Sequence, residues 1–271
     1  MSIEFSHPAP NTHAVILAAG LGTRLEENTK EMPKCLVPVS GRPILERMLE
    51  NLDELGVRRV TIVVGYLDHA IRQFVGDWVE GAAHALEVDF VLNERFAQTG
   101  SVFSLEMGLR AIDAGLERRH LLLIEGDVVI DRRLLEKLLE RGAHSTDAAT
   151  LLAAYEPSLN GTFATVSQAI VSAWLHESVR EPGFDLAASY KTVNLTFVQR
   201  GEPRRRLLAQ VSSVIAKAGV KAPLEYAMQN LVQEGMHISA VMTESLPWFE
   251  VDTPKDLAIA NDMFPPLIEL S

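Results

Sequence analysis

The strongest constraint on this fold is an alternation of short apolar runs, suited to β-strands, with segments of helical spacing. The runs are Ala14-Val15-Ile16-Leu17-Ala18-Ala19, Arg59-Val60-Thr61-Ile62-Val63-Val64, Val88-Asp89-Phe90-Val91-Leu92 and Leu121-Leu122-Leu123-Ile124. Between them, Ile44–Leu55, Asp68–Val79 and Val102–Ala114 repeat apolar residues at i, i+3, i+4 and i+7. In the first helical segment Ile44, Leu45, Met48, Leu49, Leu52 and Leu55 make one stripe. Strands that are apolar on both faces and separated by helices predict an α/β fold with a sheet covered on both sides. Its crossovers are expected to be right-handed.

The pattern changes after about residue 145. Ala148–Tyr155 reads as a strand, Thr162–Trp174 holds shorter strand candidates, and Lys191–Phe197 alternates as a strand does. Helices are expected around Arg205–Ala218 and Leu224–Glu234, a strand at Ile238–Met242 and a closing helix at Pro254–Met263. No Pro-, Gly- or Ser-rich linker, internal repeat or low-complexity stretch interrupts the chain. A single domain over residues 1–271 is therefore expected.

Charge narrows the partners. The net charge of −11 repels a phosphate backbone, so nucleic acid is not expected as a partner. One cysteine, Cys35, excludes an internal disulfide and suits a reducing cytoplasm. The stretch Met1–Thr12 lacks the basic and apolar regions of a signal peptide. Runs such as Ala14–Ala19 and Leu121–Ile124 fall far short of the roughly 20 residues that cross a bilayer. A cytoplasmic protein without a membrane partner is the expectation.

The first strand runs into Ala18-Ala19-Gly20-Leu21-Gly22-Thr23-Arg24. Ligands of open α/β sheets bind beyond the carboxyl ends of the strands, and small residues there let backbone amides approach phosphate oxygens. Arg24 adds a cationic fork suited to a triphosphate. A tight strand-to-helix turn explains the two glycines equally well. Leu25 stands where a dinucleotide fingerprint needs its third glycine, and no Gly-Lys-Ser/Thr follows. Lys34, between Pro33 and Pro38, is expected on a stiff extended stretch from which its ammonium can reach an α-phosphate.

These two pieces, Leu17–Arg24 and Pro33-Lys34-x-Leu36-x-Pro38-Val39, resemble the signature of the NTP-transferase family of sugar-phosphate and choline-phosphate nucleotidyltransferases. The resemblance implies a Rossmann-like mixed, mostly parallel sheet flanked by helices. It divides the chain into a nucleotide-binding half at about 13–145 and an acceptor-binding half at about 146–263.

Asp127 follows the fourth strand and a glycine, and hard carboxylate oxygens suit Mg²⁺. Asp252 precedes Thr253-Pro254, which on local grounds reads as a helix cap. The resemblance implies that Asp127 and Asp252 hold the metal. It further implies in-line attack at the α-phosphorus by the acceptor's own anionic oxygen, with release of pyrophosphate and no general base.

Ser189-Tyr190-Lys191-Thr192-Val193-Asn194, with Trp248-Phe249-Glu250-Val251-Asp252, resembles the cytidylyltransferases acting on phosphocholine or 2-aminoethylphosphonate. The implied catalytic groups are Arg24, Lys34 and Lys191. The implied nucleotide contacts are Leu17, Ala18, Ala19, Gly20, Gly22, Thr23, Arg24, Asn93 and Ser101, and the acceptor contacts are Asn160, Lys191, Asn194 and Glu250. On local grounds Lys191 reads equally as an exposed strand lysine, and Arg204-Arg205-Arg206 as a solvated helix start.

The sequence departs from those relatives at Gly100-Ser101, where they carry paired asparagines. Gly and Ser cannot make the same amide hydrogen bonds, which bears on base and acceptor choice. The partners implied are CTP and a small phosphonate or phosphate acceptor, and a homodimer is left open. The alternatives are a sugar-1-phosphate nucleotidyltransferase using UTP, GTP or dTTP, and a catalytically silent nucleotide-sensing subunit.

Overall fold

The computed structural model describes residues 8–81, 84–115, 118–181 and 184–266, so most of the N-terminal stretch read against a signal peptide lies outside the described residues. The first apolar run forms β1 (Thr12–Ala18), and the two-residue strands β2 (Pro38–Val39) and β3 (Arg42–Pro43) lead into α1 (Ile44–Glu54). Then come β4 (Arg59–Val64), α2 (Asp68–Gly81), β5 (Glu87–Leu92), α3 (Ser101–Ala111) and β6 (His120–Glu125). They are followed by β7 (Val128–Ile130), α4 (Arg132–Ala143), β8 (Ala148–Ala154), the hairpin β9 (Phe163–Ser167) and β10 (Ile170–Leu175), and β11 (Tyr190–Val198). The chain closes with α5 (Glu202–Ala218), α6 (Glu225–Gln233), β12 (Ile238–Met242), β13 (Trp248–Glu250) and α7 (Pro254–Met263).

One nine-stranded mixed sheet runs through both halves, in the order β5-β4-β1-β6-β11-β8-β12-β10-β9. The expected parallel character is continuous in the first half, where β5, β4, β1 and β6 are parallel, and recurs in the second only where β12 runs parallel to β8. In the second half β11 is antiparallel to both β6 and β8, and β10 is antiparallel to β12 and β9. The sequence explains the change. Among the described residues no α-helix separates β8, β9, β10 and β11, and antiparallel strands need no crossover helix.

Alternate residues of β1 feed opposite layers, as a two-residue period requires. Ala14, Ile16 and Ala18 pack with α1, α2 and α4, whereas Val15 packs with α3, α5 and α6. In α1 the predicted stripe is buried at Ile44, Leu45, Met48, Leu49 and Leu52, each contributing roughly 1.5–3 kcal/mol. Helix α4 was not expected, yet Leu134, Leu135, Leu138 and Leu139 bury one face of it and Asp131 caps it by accepting from Arg133 N. Arg204 is a correction to the solvated reading: it is buried and donates to the carbonyls of Arg119 (2.9 Å) and Ile112 (3.3 Å). No helix among the described residues is long and apolar enough to cross a membrane.

Candidate active site

The chain leaves β1 at the carboxyl edge of the parallel strands. Leu17, Ala18, Ala19 and Gly20 line a cavity with Lys34, Cys35, Asn93, Gly100, Ser101, Glu125, Gly126 and Asp127. Gly22 and Thr23 stand behind this wall. Gly22 adopts φ 65°, and a Cβ on it would lie 3.0 Å from Lys34 Cβ, so only glycine fits against the lysine stem. Thr23 opens a 3₁₀ turn over Thr23–Thr29. A small apolar cluster of Leu25, Val37, Val39, Ile44, Val129, Val251 and Ala260 lies beneath. These residues neighbour Arg24, Lys34, Asp127 and Asp252 in sequence, so their packing holds four separate segments in register.

Pro33 is extended as expected, but Lys34 itself opens a 3₁₀ turn, Lys34–Leu36, closed by Leu36 N to Pro33 O at 2.8 Å. From there its ammonium donates to Asp127 Oδ2 at 2.6 Å and to Asp252 Oδ1 at 2.5 Å. Arg24 Nη2 reaches the same Asp252 oxygen at 2.7 Å. Burial alone would lower the lysine pKa, but the two carboxylates outweigh it and hold Lys34 above its ordinary value. Asp252 is not the helix cap. Thr253 caps α7 in a reciprocal box with Asp256, which leaves the Asp252 carboxylate for the cations.

The pairing that joins the two aspartates has little local signal. β7 and β13, three residues each, run antiparallel with Glu250 opposite Val128, and Val251 N donates to Asp127 O at 3.0 Å. The hint available was a short apolar or aromatic run near each aspartate, Val128-Val129-Ile130 after Asp127 and Trp248-Phe249 before Asp252.

At the other end the cavity is neutral and polar. Asn93 is buried, donates to Thr99 Oγ1 (2.9 Å) and Ser104 Oγ (3.1 Å), and accepts from Arg95 N (3.0 Å). Both of its amide hydrogens are thus engaged in bracing its own loop. Ser101 Oγ accepts from Leu224 N at 2.9 Å and keeps its own hydroxyl hydrogen. The thiol of Cys35 is buried, and desolvation pushes its pKa up to about 12.

A smaller hollow opens on the far side of Asp252, lined by Ser158, Leu159, Asn160, Lys191, Trp248, Phe249, Glu250 and Asp256. Lys191 is 3% exposed, which removes the exposed-lysine reading, and its ammonium donates to Thr192 O (2.8 Å) and Glu250 Oε2 (3.0 Å). Burial is the main effect raising the Glu250 pKa, Lys191 opposes it, and Asp127 and Asp252 add to it. Asn194 lines neither this hollow nor the main cavity. It sits with φ 62° where β11 bulges against β8, and accepts from Thr192 Oγ1 at 3.1 Å. One carboxylate of the cavity wall, Glu125, was missed by sequence reasoning. Burial strongly raises the Glu125 pKa, and Glu225, Asp127 and Glu250 raise it further. Glu125 ends an apolar strand, and that placement was the available signal.

Residues 14–181 match the MobA-like NTP transferase domain. The chain belongs to this family. It is 31% identical over 257 residues to the CMP-5'-(3-aminopropyl)phosphonate synthase of Streptomyces rubellomurinus, covering 93% of this chain and 39% of that protein. It is 37% identical over 122 residues to the 2-aminoethylphosphonate cytidylyltransferase of Lancefieldella rimae, 45% of each chain. The chain thus spans less than half the length of the first relative. The fold matches that of the CTP:phosphocholine cytidylyltransferase of Streptococcus pneumoniae with a TM-score of 0.74 at 21% identity, over 93% of this chain and 98% of that one.

The donor set of this site fits a hard divalent cation. Asp127, Glu250 and Asp252 bring carboxylate oxygens within 4.8 Å of one another, and Asp127 Oδ1 is buried without a hydrogen-bond partner. Oxygen ligands of this kind suit Mg²⁺, which also binds phosphates.

Proposed function

We propose that the protein transfers CMP from CTP to a small phosphonate or phosphate acceptor of the 2-aminoethylphosphonate or phosphocholine type, releasing pyrophosphate. The observation that carries this reading is Lys34 beside Asp127 and Asp252, at 2.6 and 2.5 Å, on the wall of the Leu17–Gly20 cavity. It supplies a cation for phosphate next to a carboxylate set for a metal. The choice of CTP and of acceptor rests on the relatives named above.

In this reading the small residues of the Leu17–Gly20 turn admit the triphosphate to the backbone, and Arg24 clamps it from the exposed side. The neutral end takes the base: Ser101 offers a hydroxyl donor, and Asn93 fixes the loop that carries it. Asp127 and Asp252 would hold Mg²⁺, with Glu250 close enough to join them. When bound, that ion would neutralise phosphate charge. Lys34 stabilises charge building on the α-phosphoryl group. The acceptor lies toward Asn160 and Glu250, with Lys191 drawing in its anionic oxygen. That oxygen forms the new bond to the α-phosphorus as the bond to the β-phosphate bridge breaks, and pyrophosphate leaves. The oxygen is already ionised near neutral pH, so positioning and charge neutralisation suffice.

Asn194 is outside both hollows, so its part is to hold the bulge that follows Lys191. The two halves share one sheet, which supports a single domain in the described part. A cytoplasmic setting is supported by the lone buried cysteine.

The test is pyrophosphate release with Mg²⁺ and each NTP against 2-aminoethylphosphonate, phosphocholine, glucose-1-phosphate and inositol-1-phosphate. Release with CTP and a phosphonate or phosphocholine is expected. Release only with a sugar phosphate would move the protein to the sugar-1-phosphate branch. Nucleotide binding without turnover would favour a sensing role.

A further inference from the structure

Lys34 and Arg24 hold two of the carboxylate oxygens of the acidic set, Asp127 Oδ2 and Asp252 Oδ1. The Lys34 ammonium lies within 2.6 Å of Asp127 Oδ2 and 2.5 Å of Asp252 Oδ1, and Arg24 adds 2.7 Å to that second oxygen. Mg²⁺ needs oxygen at about 2.0–2.1 Å. An ion that close to the same two oxygens would sit against the ammonium, so one cation excludes the other. We infer that Lys34, assisted by Arg24, is a built-in counter-ion that keeps divalent metal off Asp127 and Asp252 until a nucleotide's phosphates draw the two cations away. The inference rests on the transfer reading above and concerns how that same site is controlled.

Three features support it. The lysine backbone is fixed by its 3₁₀ turn and by the contact with Gly22, whereas its side chain has four rotatable bonds. Its ammonium can therefore swing between carboxylates and phosphates without moving the wall. Arg24 is anchored only at its tip, with 67% of its side chain exposed, and is free to turn toward a triphosphate. Asp127 keeps a second oxygen buried and unpartnered, so the ammonium satisfies only part of the acidic set. The strongest remaining interaction of these carboxylates is thus reserved for a doubly charged ion.

By linkage, whatever removes the lysine raises metal affinity, and metal and nucleotide must each strengthen the other. The full chain would be titrated with Mn²⁺ alone, free ion being followed by its electron paramagnetic resonance signal. Wild type would be compared with Lys34→Met, Lys34→Gln and Arg24→Gln. Thermal melts would be recorded with and without Mn²⁺ to show that each variant is folded. The lysine variants are expected to bind Mn²⁺ about 10- to 100-fold more tightly than wild type, the span over which a neighbour tunes a metal site. They should also gain more melting temperature from the ion, and Arg24→Gln should lie between. Adding Asp127→Asn to Lys34→Met should abolish the gain. Equal Mn²⁺ affinity in wild type and both lysine variants overturns the inference, as does a gain that survives Asp127→Asn. Pyrophosphate release from CTP by the same wild-type preparation would then leave the transfer reading standing.

Discussion

Gly100 meets the connection between α5 and α6 so closely that a Cβ on it would lie 2.5 Å from the Lys221 carbonyl oxygen and 2.6 Å from that of Ala222. Gly100 N donates to Val220 O at 2.8 Å, and Leu224 N donates to Ser101 Oγ at 2.9 Å. The second half thereby forms one wall beside the neutral end of the cavity. A side chain at position 100 has no room against these two carbonyls. Gly100→Ala should lower stability by roughly 1–3 kcal/mol by overpacking, and raise KM for the nucleotide more than it lowers kcat. Differential scanning fluorimetry and NTP titrations check this. An unchanged melting temperature would mean that the connection yields freely.

Gly22 positions Lys34, and the expected signature of its loss is kinetic. Alanine at φ 65° strains the backbone by about 1–2 kcal/mol, and its methyl presses on Lys34 Cβ at 3.0 Å and Thr29 Cγ2 at 3.1 Å. Gly22→Ala should cut kcat about tenfold, equivalent to some 1.4 kcal/mol of barrier, with KM nearly unchanged. A change in KM alone would place the glycine in ground-state binding instead.

If Asp127 and Asp252 hold the metal, chelation and substitution should separate them from the purely structural carboxylates. EDTA should bring pyrophosphate release to background, and Asp127→Asn should need about 10- to 100-fold more Mg²⁺ for half-maximal rate. Asp131, four residues on, accepts from Arg133 N at 2.9 Å as the cap of α4. Asp131→Asn, also a competent cap, should leave the Mg²⁺ requirement untouched. If the two variants shifted that requirement alike, Asp127 would lose its assigned role.

Lys191 and Glu250 stabilise each other in a poorly solvated place, with side chains 4% and 23% exposed. Lys191→Met leaves Glu250 without its cation, at a cost of up to about 3–5 kcal/mol. Lys191→Met combined with Glu250→Gln should recover part of that loss, and a double-mutant cycle in urea measures the coupling. No recovery would mean that the lysine acts through its bond to Thr192 O. Acceptor KM should rise in both proteins.

Local pattern carried much of this protein. The runs at 59–64 and 238–242 form β4 and β12 with the expected bounds, and the stripe on 44–55 forms α1. Gly20–Arg24 and Lys34 stand out in the sequence because they lie in contiguous motifs, and Asp127 because it follows an apolar strand and a glycine. What was not legible depends on distant pairing. Asp252 reads locally as a cap and becomes a partner of Lys34 only when β13 finds β7, more than a hundred residues earlier. Lys191 looks like a surface lysine until β11 is flanked by both β8 and β9. Arg204 looks solvated until its guanidinium reaches the carbonyl that ends α3. No residue's near neighbours encode these contacts.

His13 predicts a pH dependence on the side of the sheet away from the site. It is 7% exposed, and its Nε2 lies 2.9 Å from Thr61 Oγ1. Burial first, then the charges of Arg204, Arg119 and Arg59, lower its pKa from 6.5 to about 4. A base whose native pKa is depressed stays neutral while the unfolded chain takes up a proton. Between about pH 6.5 and pH 4 the unfolded state therefore binds more protons, and stability falls as the pH falls through that window. Above pH 6.5 the contribution is constant. From pH 7 to pH 5 the loss from this group is about 2 kcal/mol. His120, also lowered to about 4, chiefly by burial and then by Arg200, adds a loss over the same window. His13→Gln keeps a hydrogen-bonding group for Thr61 and removes the titration. Urea unfolding at pH 7 and pH 5 should show the variant losing about 2 kcal/mol less than wild type across the interval. An equal loss in both proteins would show that the His13 ring is protonated without penalty in the folded state.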